Sequence, residues 1–161
     1  MATKDYSSVQ ECKLAGYLGW RVVSGSGARN FFKGDIESNE WLGECKTHVS
    51  TGNKLQFKKD VWDKICKEAI SYHKSPVLFT DDGSQQFKMT WCLVPLSRMY
   101  GQNCIPFPHK IRTNIQFEHI DMYTDIRFKM CSGYIVTGFG TEIKDVVITT
   151  FDNFANLFGR L

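Results

Sequence analysis

No apolar run in this chain reaches the length of a bilayer crossing, and no secretory signal opens it. Six cysteines are present (Cys12, Cys45, Cys66, Cys92, Cys104 and Cys131), yet none forms a CxxC pair or joins a histidine at zinc-ligand spacing. Free thiols in a reducing, cytoplasmic compartment are therefore expected. Strong charge is missing too. A net charge of +3 is too small to argue for any partner by itself. Nor does any linker divide the 161 residues, so one domain is expected, with a core at about 7–80 and a β-rich extension at about 84–161.

What remains is the composition of a packed globule: 42% hydrophobic and 14% aromatic, enough to exclude a disordered chain. The surplus of Lys and Arg over Asp and Glu falls within residues 1–80, and the second half is balanced. That leans the first half towards a phosphate-bearing partner, although a solvated helix face gives the same count.

The chemistry concentrates between Arg21 and His48, in Gly34-Asp35-Ile36 and, nine residues after Asp35, Glu44-Cys45-Lys46. Phe31-Phe32 ahead of Asp35 and Trp41-Leu42 ahead of Glu44 predict two short strands, joined by the polar turn Glu37-Ser38-Asn39-Glu40. Alternation along a strand puts Glu44 and Lys46 on one face and Cys45 on the other. Two acids and an amine then share neighbouring strands, a seat suited to a hard cation that takes oxygen ligands.

Around that hairpin, Ser8 and Glu11 fit a capping box. The helix they open runs to about Leu18 and buries Val9, Cys12, Ala15 and Leu18. A short strand at 20–23 leads into Ser24-Gly25-Ser26-Gly27, where glycine permits close approach to a phosphate or to another strand. Residues 47–54 read as a polar loop. A helix over about 58–72 carries a stripe of Trp62, Ile65, Ala69 and Tyr72, and Pro76 to Thr80 forms a buried strand. Further strands are expected at 87–96, 111–117, 126–130, 133–138 and 145–150, with a loop at 101–109 and a short helix at 151–158. The sum is an α/β chain whose mixed sheet is flanked by helices.

The helix with its early Glu11, then Val22-Val23-Ser24-Gly25-Ser26-Gly27, Gly34-Asp35-Ile36 and Glu44-Cys45-Lys46 together resemble the PD-(D/E)xK nuclease superfamily, within it the archaeal and phage Holliday junction resolvases. The likeness covers roughly residues 7–80; Gly34 stands where the superfamily name has proline. It implies a restriction-endonuclease-like core and a Mg²⁺- or Mn²⁺-dependent endonuclease that cuts branched DNA as a homodimer in a cell or phage-host cytoplasm. Asp35 and Glu44 would ligate the metal with the Cys45 backbone carbonyl. Lys46 would orient or deprotonate water and offset phosphate charge. Glu11 would be the helical acid beside a second metal or a water, where the residues alone also allow a cap. Either Ser24 or Ser26 would touch phosphate, and Arg21, Arg29 and Lys33 flank the site as phosphate contacts. Two other readings compete: a nuclease for ordinary duplex, of restriction or replication type, and a catalytically silent nuclease fold that binds DNA or a protein.

Overall fold

Side-chain alternation along the strands sorts the apolar residues into two separate cores, one on each face of a single sheet. In this computed structural model the described residues are 3–23, 34–48, 54–84, 86–100, 107–109, 113–118 and 133–159. Helix α1 (Thr3–Leu18) is followed by β1 (Arg21–Val22), β2 (Ile36–Glu37), β3 (Trp41–Thr47), β4 (Lys54–Lys58), α2 (Lys59–Ser71) and β5 (Ser75–Asp81). A 3₁₀ turn (Phe87–Met89), β6 (Thr90–Pro95), α3 (Leu96–Met99), β7 (Phe107–His109), β8 (Asn114–Glu118), β9 (Tyr134–Val136), β10 (Val146–Thr150) and α4 (Phe151–Phe158) complete the order.

Eight strands form one mixed sheet in the order β1-β2-β3-β5-β6-β10-β9-β7, and β4 and β8 make a separate antiparallel ribbon. β1, β2 and β3 are antiparallel neighbours, while β3 and β5 run parallel with α2 in the connection between them. Parallel neighbours need such a crossover, because no tight turn can join them. The second half extends this sheet: β6 pairs with β5, and β10 with β6.

On one face Trp41, Cys45, Val77, Phe79, Cys92, Val94 and Val147 pack against α1 and α4. Trp41 meets Phe154 at 5.1 Å and Phe158 at 4.9 Å between ring centroids, tying β3 to α4. The other face puts Leu42, Leu78, Trp91, Leu93 and Ile148 under α2 and the β4–β8 ribbon. α2 is held from its outer side as well. Trp62 Nε1 donates to the Ile143 carbonyl at 3.1 Å, and Asp63 accepts from Thr141 N–H at 2.8 Å.

Several expectations are corrected. α1 starts at Thr3, so Ser8 lies inside the helix and cannot cap it. Its buried stripe is Gln10, Leu14, Ala15 and Leu18; Val9 is 43% exposed and Cys12 is exposed too. On α2, Tyr72 faces solvent, while Cys66 and Glu68 join the buried stripe. Residues 54–58 form a strand rather than the end of a loop, and 107–109 pair with β9 at the sheet edge, where proline is tolerated. The strand expected at 126–130 lies outside the described residues. Among the described residues no helix is long and apolar enough to cross a membrane.

Candidate active site

The site is built where the β2–β3 pairing ends and β3 runs on alone on that side. The ladder joins Ile36 to Gly43 and Glu37 to Leu42. The turn between the strands is set by Ser38, whose Oγ accepts from Trp41 N–H at 3.1 Å. Asp35 sits one residue before the pairing and is fixed through its backbone on both sides. Its N–H donates to the Gly43 carbonyl at 2.8 Å, and its carbonyl accepts from Val23 N–H at 2.8 Å. Its side chain takes the next place in the ladder: Oδ2 accepts from Cys45 N–H at 2.8 Å. Oδ1 has no hydrogen bond among the described residues.

Asp35 thus substitutes for a strand residue opposite Cys45. The N–H and C=O of a strand residue point to the same side, so the Cys45 carbonyl is directed to this same side. Its thiol points the other way into the α1–α4 core, where burial raises it well above its ordinary range and leaves it inert.

Glu44 and Lys46 occupy the face opposite Cys45, as the alternation requires. Glu44 is only 5% exposed, and Lys46 Nζ binds its Oε1 at 2.8 Å. Burial pulls the Lys46 ammonium down, but the hydrogen bond and charge of Glu44, with Asp35 behind it, outweigh that and hold it above its ordinary value. Lys46 therefore stays charged at neutral pH. The Asp35 carboxyl is pushed up to about 7, first by burial and then by the Glu44 charge, with Glu11 adding to both; only Cys45 N–H and Lys46 oppose. Glu11 lies half-buried on α1, close enough for its charge to be felt at Asp35 and Cys45.

Buried Glu44 and half-buried Asp35, whose carboxyl the Glu44 charge helps to raise, form a seat with excess negative charge. Among the described residues no three His, Cys, Asp or Glu side chains form a ready-made ligand cage. Mg²⁺ does not require one: it binds through one or two carboxylates, keeping waters and substrate phosphate in its other positions. The Asp35–Glu44 pair with the Cys45 carbonyl fits that donor set.

The remaining expected residues fall into two groups. Ser24, Ser26, Arg29 and Lys33 lie outside the described residues. Arg21 is exposed on β1, where its guanidinium meets Glu37 Oε1 at 3.1 Å. An exposed pair of that kind is worth about 0–1 kcal/mol, little enough for a phosphate to compete for the arginine. Glu37 also binds Lys74 at 2.6 Å, so it keeps a cation either way.

Glu68 was missed by sequence reasoning. It is 2% exposed on α2, and its Oε2 accepts from Gly34 N–H at 2.9 Å, clamping the residue just before Asp35. The one available signal was its spacing from Lys64, which stands 3.7 Å from Oε1. Glu68→Ala is expected to cost about 1–3 kcal/mol by leaving the buried Gly34 N–H without an acceptor. Glu68→Gln, which keeps an acceptor, should lose clearly less; urea denaturation of the two variants checks this.

Comparison with family models, with curated proteins and with solved structures finds no match to this chain. Its function is therefore read from its own residues.

Proposed function

We propose that this protein is a metal-dependent DNA endonuclease of the PD-(D/E)xK kind, acting on branched DNA of the Holliday junction type as a homodimer. One observation carries the reading: half-buried Asp35, just ahead of β2, and buried Glu44 on β3 stand beside a lysine that remains cationic. The order α1-β1-β2-β3-β4-α2-β5, with β3 and β5 parallel, supports a restriction-endonuclease-like core.

On this reading Asp35, Glu44 and the Cys45 carbonyl hold Mg²⁺ or Mn²⁺. A divalent ion bound there supplies an activated water and neutralises charge at phosphorus. Lys46, already protonated, serves as a fixed charge beside the scissile phosphate rather than as a base that takes a proton from water. Glu44 keeps the Lys46 ammonium aimed, and Asp35 would hold the cation as a carboxylate. The dimer follows from the task, since a junction is resolved by two symmetric nicks.

The test is cleavage of a labelled four-way junction and a matched linear duplex, with and without Mg²⁺ or Mn²⁺. Metal-dependent nicking of the junction alone is expected, reduced on the order of 10²–10³-fold in Lys46→Ala, as for removal of one transition-state charge contact. Equal cutting of both DNAs would instead make it a nuclease for ordinary duplex. No cutting of either would leave a DNA-binding or interaction protein.

A further inference from the structure

Beside Lys46 the sheet opens into a cavity of about 200 Å³ on the α2 face. The β3–β5 register explains its position. Glu44 lies opposite Leu78 and Lys46 opposite Thr80, so the row carrying the acid and the lysine continues sideways into the cavity floor. Leu78 and Val61 give it apolar walls, and Gln56, on the outer face of β4, presents an amide. Lys46, Thr47, His48 and Lys58 line it too, and among the described residues no carboxylate does.

Thr80 is 1% exposed, and its hydroxyl has no hydrogen-bond partner among the described residues. A buried hydroxyl left in that state costs stability unless something from outside satisfies it. Apolar walls, a few convergent polar groups and cationic residues together suit a small ring that carries a phosphate.

We infer that this cavity receives one deoxynucleotide unit turned out of its helix, with its base between Leu78 and Val61, its edge on Thr80 and Gln56, and its phosphate toward Lys46, Lys58 and His48. The cavity lies below the range for drug-sized ligands, which begins at about 300 Å³, so a single base is the occupant that fits. Turning a base out is least costly where it is unpaired or poorly stacked. The biological role rests on the nuclease reading: the cavity would favour branch points and unpaired strands without reading their sequence. The binding itself does not depend on cleavage.

The experiment is an NMR titration of the metal-free protein with deoxyadenosine monophosphate and, separately, with inorganic phosphate. The nucleotide is expected to shift the methyl signals of Leu78 and Thr80 and the ring of His48 saturably, whereas phosphate alone leaves the methyls unmoved. Thr80→Val should weaken the nucleotide roughly tenfold, the loss of one hydrogen bond. Because the hydroxyl is unsatisfied without ligand, this variant should melt at or above the wild-type temperature, which separates lost binding from lost fold. Nucleotide binding without any DNA cleavage upholds the cavity and fails the nuclease reading. Junction cleavage with no methyl shifts, or with identical shifts from phosphate alone, overturns the cavity and leaves the nuclease standing.

Discussion

On the nuclease reading Asp35→Asn is expected to abolish metal-dependent cleavage, by on the order of 10³-fold or more, while making the metal-free protein more stable at pH 8. The two effects have one cause. Asparagine can still accept from Cys45 N–H through its amide oxygen, so the contact that positions the residue survives. What disappears is a negative charge buried beside Glu44. The folded carboxyl titrates at about 7 against 3.8 unfolded. The folded state therefore binds more protons than the unfolded state between those values, and stability falls as pH rises. The favourable contribution is fully present below about pH 4 and is lost as pH passes about 7.

Each pH unit of displacement is worth about 1.4 kcal/mol. Discounted for partial exposure and for sharing with Glu44, the gain in Asp35→Asn is on the order of 2 kcal/mol, or about 4–8 °C for a chain of this size. Mg²⁺ should raise the melting temperature of wild type at pH 8 and leave the variant unmoved. Calorimetry at pH 5 and pH 8, with and without the ion, reads all of this. An Asp35→Asn protein no more stable than wild type at pH 8 would show that the two acids are not held against their repulsion.

The second large effect comes from Gly34→Pro, although it would bring the sequence closer to the pattern it resembles. Gly34 has φ +58°, and proline is confined near −65°. Proline also lacks the N–H that Glu68 accepts, leaving a buried carboxylate with the Lys64 contact alone among the described residues. Space is short as well: a Cβ at this position would stand 2.9 Å from the Gly43 carbonyl oxygen. The misfit costs about 3 kcal/mol or more, and the orphaned acceptor about 1–3 kcal/mol further. That is a large part of the 5–15 kcal/mol that ordinarily separates folded from unfolded. Denaturant unfolding should show the loss, and on the nuclease reading cleavage should vanish even below the melting temperature. Wild-type stability and activity in this variant would refute the role given to the Glu68 clamp.

The same two residues mark what the sequence could reveal. β3 was legible from Trp41-Leu42 ahead of Glu44, and alternation alone sent Glu44 and Lys46 one way and Cys45 the other. β2 is Ile36–Glu37, taking Glu37 from the expected turn, and Phe31-Phe32 lie outside the described residues. α2, β5, β10 and α4 were legible from periodicity. Helix α1 misled because Ser8 and Glu11 imitate a start signal, and because Gln10, not Val9, turns inward to take the Thr47 hydroxyl at 3.2 Å. Only the fold supplies that partner. β4 was missed for a similar reason. Lys54-Leu-Gln-Phe-Lys58 alternates well, but its partner β8 lies in the other half of the chain. Glu68 escaped because its acceptor role depends on a backbone N–H far away in sequence, that of Gly34.

The tie between Trp41 and α4 also governs the order in which the protein can be made. The acids emerge early from the ribosome, but the rings that cover the back of their strand come from Phe154 and Phe158. Chains grow at about 5–20 residues per second, so the gap lasts roughly 5–20 s. During that interval the nascent chain carries Asp35, Glu44 and Lys46 without the α4 rings that pack behind β3. On the nuclease reading, a reagent that cuts DNA would remain unassembled until residues 146–158 have appeared, a delay written into the topology rather than imposed by an inhibitor.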